Sequence, residues 1–321
     1  MKRFKSYNSI YKYILIGVIA IGICLLVGCS SNKAEIPYEA IDKSVKFKFG
    51  DIFVYPIAGI MWLMGKSAAF GSYGVAIILT TLIVRTIAWP IYAKTNDMSL
   101  KMQLMQPELD KIQAKYAGKD DQQSKQRLSM ETMQLYKKYG IGISSCLMPF
   151  IQMPIFIGFF NAISRMPATF ALEGSNWLKD VFGNNTTLFG VNLTIQITDE
   201  AATKGDKWAI YILAGLVGLT QVASILISQL RQKRQKNKTQ STIPEYRRPQ
   251  QTDQQKQTAL MMNIMLYGMA AMMVFLVIRR PAGLGLYWLV GNIYSTLQAQ
   301  IGAMQSEKRL EKLRKKTNGG M

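Results

Sequence analysis

The sequence predicts an all-α polytopic membrane protein, with five helical spans and a helical hairpin on the cytoplasmic side. Two observations carry this. The 321-residue chain is 49% hydrophobic with a formal net charge of +20, yet its mean hydropathy is only +0.07. Long apolar blocks alternate with basic polar ones, the pattern of spans joined by charged loops rather than of a soluble basic domain. Histidine is absent, which excludes Ser-His-Asp hydrolases and His-bearing zinc sites. The three cysteines, Cys24, Cys29 and Cys146, give no disulfide framework.

At the N-terminus, Lys2, Arg3, Lys5 and Lys12 lead into an apolar run, Ile14 to Val27. Leu26-Val27-Gly28-Cys29 then resembles a bacterial lipobox, followed by Ser30 and Ser31. This predicts a signal peptide over 1–28, removed on maturation, and a lipid on Cys29 at the outer face. An uncleaved signal anchor is the alternative. Residues 29–72 read as an outer linker followed by a short interfacial helix, Ile52 to Met64, with Trp62 at headgroup depth.

Tyr73 to Ala93 is the first mature span and contains one charge, Arg85. A central arginine costs roughly 2.5–3.5 kcal/mol on insertion scales. Thr81 and Trp89, one turn to either side, share its helix face. Either the side chain snorkels to the interface near Pro90, or it faces a wet cavity inside the protein. Further spans follow at Ile141 to Ile163, Trp208 to Ser228, Ala259 to Ile278 and Leu284 to Ile301. Polar groups that lipid tolerates poorly recur among them: Gln152 between Pro149 and Pro154, Gln221 with Ser224, and Asn292 with Ser295. Spans that share such groups can assemble around water.

Between the first two spans, 94–140 predicts an antiparallel hairpin. Met98, Met102, Met105, Leu109, Ile112 and Tyr116 recur at steps of three and four, as do Leu128, Thr132, Leu135 and Tyr139. The turn lies at 117–121. Its methionines, with Met130 and Met133, are either an adaptable capture surface or ordinary packing. Basic residues outnumber acids here, in the 229–258 loop and in the 304–321 tail, which places all three in the cytoplasm. The loop and tail suit polyanions: anionic lipid and ribosomal RNA, not DNA.

Four stretches resemble the YidC/Oxa/Alb insertase family. TTLIVRTIAWPIY is similar to its arginine-bearing span, and MQPELDKIQAKY with MQLYKKYGI to its cytoplasmic hairpin. CLMPFIQMPIFIGFF is similar to its proline-containing second core span, and RRPAGLGLYWLVGNIYSTLQ to its last. Together they cover most of 73–303 in family order. The lipobox resembles the Gram-positive branch. The resemblance implies five core helices around a hydrophilic groove that opens to cytoplasm and lipid and is closed outside. It implies a membrane insertase and chaperone, not an enzyme and without cofactor or metal. Clients would be nascent membrane proteins, with the Sec translocon and the ribosome as further partners. Arg85 would be the groove arginine, with Thr81 one turn above. Gln152, Gln221, Tyr287, Trp288, Asn292 and Ser295 complete the expected groove, Trp288 standing where some members have a second tyrosine. A small-molecule or ion transporter is the competing reading. No Asp or Glu lies inside the five spans to couple an ion, and no internal repeat is evident.

Overall fold

A computed structural model of the chain describes residues 39–41, 51–116, 118–119, 121–141, 148–183, 185–241 and 253–318. The chain divides into two units, 1–39 and 40–321. Of the first, Glu39 alone is described, so the expected signal peptide and Cys29 lie outside the described residues. The second unit is almost entirely helical: α1 Asp51–Ser67, α2 Tyr73–Ile87, α3 Trp89–Lys115, α4 Gln122–Lys138, α5 Met148–Ala171, α6 Lys179–Phe182, α7 Lys204–Ser241, α8 Asp253–Arg279 and α9 Ala282–Asn318. A two-stranded ribbon, β1 Thr187–Leu188 and β2 Val191–Asn192, interrupts the loop between α6 and α7.

Two stretches, Lys204–Arg234 and Ala259–Arg279, are each long and apolar enough to cross a membrane, at mean hydropathy 2.1. Only 22% and 11% of their apolar windows are buried in the protein. A soluble core helix of that composition would be mostly covered by its own chain. Leu260, Met261, Ile264, Met265 and Met272 of α8 are instead exposed together, and lipid is the solvent that accepts such a surface.

The arginine span departs from the continuous helix expected over 73–93. α2 ends at Ile87 and α3 restarts at Trp89, with Pro90 in its first turn, where its missing N–H costs nothing. Fifteen residues rise roughly 22 Å, short of a hydrocarbon core of about 30 Å. Ser72 caps the start, its side chain accepting from Val75 N.

The main core gathers at the loop end. Val54, Ala58 and Met61 of α1, Ala76 and Ile77 of α2, Phe159 and Ile163 of α5, Ala214 and Val217 of α7, and Leu284 and Tyr287 of α9 are all buried there. α1 therefore packs one face into the bundle rather than lying free at an interface. Gly158 permits the close approach, because a Cβ there would stand 2.6 Å from Ile57 Cδ1. Ahead of α1, Ile41 is also held by the bundle. Ile41 is fully buried, its N donates to Thr169 Oγ1 at 2.9 Å, and Asn176 donates to its carbonyl at 3.1 Å. Beside it, Arg165 of α5 pairs with Asp51 of α1 at 2.5 Å, both side chains less than a tenth exposed. Across the α8–α9 turn, Ala282 and Gly283 donate to Ile195 and Leu193 carbonyls at 3.1 and 2.8 Å. The two arginines there lie over aromatic rings: Arg279 over Phe275, Arg280 over Phe160.

The hairpin forms as the heptad spacing predicts. Met105, Leu109, Leu135 and Ile141 are buried, with Met102, Ile112, Tyr136 and Tyr139 packed against them. Two cross-arm pairs flank this seam, Lys115–Glu131 at 2.6 Å and Lys138–Glu108 at 2.8 Å. Tyr116 and Tyr139 hydroxyls donate to the same carboxylates. Those bonds hold Glu108 and Glu131 below the usual carboxylate range; the lysine bond is the largest cause in each. Asp121 caps α4, accepting from Ser124 N at 2.8 Å.

The expected basic loop is in part helix. α7 runs on to Ser241 and α9 to Asn318. Gln, Lys, Arg and Leu are good helix formers, and no Gly or Pro interrupts the chain between Gly218 and Pro244. Residues 242–252 lie outside the described residues.

Candidate functional site

Burial falls off along three helices in the same direction. On α2, Tyr73, Ala76, Ile77, Thr80 and Thr81 are buried, while Arg85 is half-exposed. On α7, Ile210, Ala214 and Val217 are buried, followed by Ser224, Ser228 and Arg231 at a cleft. On α9, Leu284, Tyr287 and Trp288 are buried before Ser295 and Gln298 reach the same cleft. The loop end is densely packed, and polar side chains gather toward the far end.

Arg85 reaches from α2 to α9. Its Nη1 donates to Ser295 Oγ. Gly291, one turn before Ser295, makes the room: a Cβ there would stand 2.9 Å from Arg85 Nη2. The Nε is buried without a partner. Among the described residues no carboxylate pairs with this guanidinium; the buried ion pair of the bundle is Arg165–Asp51. A guanidinium carries five N–H donors and no acceptor. Here neutral oxygens hold it and leave its charge uncompensated.

Ser295 also lines a cleft of about 280 Å³ between α7 and α9. Tyr92, Ser224, Ser228, Arg231 and Gln298 contribute to its wall. Arg231 Nη1 donates to the Ala299 carbonyl at 2.9 Å. Gln298 is 4% exposed, and its Nε2 has no partner. Hydroxyls, amides and guanidinium make up the polar lining, a set suited to polar peptide groups and carboxylates. Among the described residues no cluster of metal-ligating side chains exists.

The expected groove residues separate into three groups. Arg85 and Ser295 meet. Asn292 faces α7, its Nδ2 3.5 Å from Thr220 Oγ1, and Gln221 is half-buried on that helix. Thr81, Tyr287 and Trp288 sit in the packed end. Thr81 Oγ1 donates back to Ile77 O at 2.7 Å. Tyr287 stacks on Phe159 and Trp288 on Phe156, so a hydroxyl at 288 would find an aromatic wall. The side chain of Gln152 lies outside the described residues, as does that of Met98. Of the other hairpin methionines, Met105 is fully buried and Met102 partly so, and both belong to the seam. Met130 and Met133 are exposed. Met105 is thus corrected from surface to brace.

Arg231 was expected among the basic residues that meet polyanions; the structure turns it inward to the cleft. Its spacing was visible: Ser224, Ser228 and Arg231 are four and three apart, on one helix face.

Comparison with known proteins agrees. The family described as 60Kd inner membrane protein matches residues 65–309. The chain is 30% identical over 275 residues to the membrane protein insertase MisCA of Bacillus subtilis, covering 85% of this chain and 84% of that one. It is 31% identical over 288 residues to the membrane protein insertase YidC of Oceanobacillus iheyensis, covering 89% and 93%. It is 30% identical over 299 residues to YidC 1 of Listeria monocytogenes, covering 92% and 83%. With its lipid-facing apolar helices and this match over most of its length, the chain is a bacterial cell-membrane protein and belongs to the YidC/Oxa/Alb family.

Proposed function

We propose that this protein is an insertase and membrane chaperone, which moves polar segments of nascent membrane proteins through a groove at Arg85. The observation that carries this is the arginine itself: no carboxylate partner among the described residues, one buried N–H unused, and beside it a cleft into which hydroxyl and amide side chains reach. An incoming acidic segment would supply the missing counter-charge. Its polar backbone would find hydroxyls and amides on the cleft wall instead of hydrocarbon. The relatives named membrane protein insertase support the same reading.

In this reading the five helices α2, α5, α7, α8 and α9 form the core, with the packed end outside and the cleft end in the cytoplasm. Cys29 carries the lipid anchor. The hairpin offers Met130 and Met133 to arriving chains. Basic residues of the α7 extension and of the α9 tail attract anionic lipid and ribosomal RNA, and the protein works alone or beside the Sec translocon. The test is reconstitution. Proteoliposomes holding the purified protein should protect the translocated tail of a single-span client from external protease, where empty liposomes do not. A transporter using the same cavity would give equal protection in both.

A further inference from the structure

Two phenylalanines at the loop end stand almost wholly clear of the protein: Phe70 is 92% exposed and Phe189 is 96% exposed. Both occupy left-handed backbone, at φ +48° and +50°, and each precedes a glycine at φ +75° or +79°. Phe70-Gly71 closes the turn from α1 to α2. Phe189-Gly190 forms the two-residue tip of the β-ribbon, a position that favours Asn, Asp or Gly. A bulky aromatic residue in left-handed backbone is uncommon, and among the described residues none covers either ring. Neither is retained for packing or for turn geometry.

We propose that Phe70 and Phe189 are lipid anchors, inserted into the membrane leaflet at the loop end of the bundle. Both tips are tied to the first turn of an apolar helix: Tyr73 N donates to Asn185 O at 3.0 Å, and Leu188 packs on Gly74. The same end carries Trp208 and Tyr211, exposed in the opening turns of the lipid-facing helix α7, the level at which amphipathic aromatics mark a membrane interface. Within three residues either side of each phenylalanine there is no charged side chain, in SAAFGSY and in TTLFGVN. A leaflet accepts such a tip, and continuity with the lipid-facing surface of α7 makes lipid the occupant. The anchors would fix the depth at which α2 begins, and this does not depend on the insertase reading.

Nitroxide labels at Phe70→Cys and Phe189→Cys test this. The background protein has Cys24, Cys29 and Cys146 replaced by serine, with one copy per phosphatidylglycerol nanodisc. Power-saturation electron paramagnetic resonance compares collision with oxygen, which partitions into lipid, and with an aqueous nickel chelate. A label at Ser175→Cys, exposed and beside Glu173 at the same end, gives the aqueous reference. The oxygen-to-nickel ratio should be severalfold higher at both phenylalanine positions than at Ser175. As a check on the native side chains, a lipid-soluble carbene reagent should label the Phe70 and Phe189 peptides of the unmutated protein. Ratios equal to the Ser175 reference, with no carbene labelling, would overturn the proposal and leave both rings free for a protein partner.

Discussion

Arg85 Nη1 donates to Ser295 Oγ across 210 positions of sequence, joining α2 to the α9 wall of the cleft. The bond places a cation against hydroxyl groups instead of an acid. In the proposed function, that arrangement keeps the charge available to an incoming acidic segment.

Gly291 controls where this charge sits. Gly291→Ala places a methyl 2.9 Å from Nη2, which the flexible end of an arginine can absorb. Gly291→Val cannot be accommodated without moving the guanidinium off Ser295. The alanine variant should insert an acidic-tailed client within about twofold of the parent, and the valine variant should lose about tenfold, roughly 1.4 kcal/mol. Initial insertion rates in proteoliposomes measure both.

Asp51 and Arg165 are a buried pair, and removing one partner takes away the opposite charge that faces the other. Arg165→Met should cost about 3–5 kcal/mol, read as a fall in thermal unfolding temperature in detergent. Asp51→Leu combined with Arg165→Met should recover most of the loss, since an apolar pair needs no counter-charge.

The hairpin has a pH limit set by Glu108 and Glu131. Both carboxyls titrate below their ordinary value of 4.5. A depressed carboxylate contributes stability above its unfolded value and loses it as pH falls through the folded one. The arms should therefore be held most firmly from neutrality down to the ordinary carboxylate range and loosen only below it, where the buried seam acts without these pairs. Spin labels at Gln113 and Gln134 would read the inter-arm distance. Substituting both glutamates by glutamine should flatten the distance-against-pH curve.

Met130 and Met133 are exposed on α4, whereas Met105 is closed in the seam. Photo-crosslinkers at 130 or 133 should trap stalled nascent chains, and one at 105 should give crosslinks only within the protein. Equal trapping from all three positions would mean that the hairpin opens.

The hairpin was legible because its seam repeats locally, and every contact in it spans a few tens of residues. Arg85 was legible because a lone charge in an apolar run has few explanations. The break at Ala88 was masked by the apolar residues around it, although Pro90 signals a helix start. The Ile41 and Asp51–Arg165 contacts could not be read, since they join segments more than a hundred positions apart and the polar composition of 30–50 resembles a linker. The α7 extension was misread for a different reason: Gln, Lys and Arg are hydrophilic, but hydrophilicity alone does not stop a helix. Arg231 shows the consequence, for on a helix it turns inward to the cleft.

The central claim is that the uncompensated charge of Arg85 receives acidic client segments. The most direct measurement is insertion of one client in two versions, with an acidic or a neutral translocated tail, by the parent, Arg85→Lys and Arg85→Ala proteins at equal amounts in proteoliposomes. Lysine keeps the charge but not the fork, so it should retain much of the acidic-tail insertion. Alanine should lose it and lose far less with the neutral tail. Equal insertion of the acidic tail by the parent and by Arg85→Ala would contradict the account.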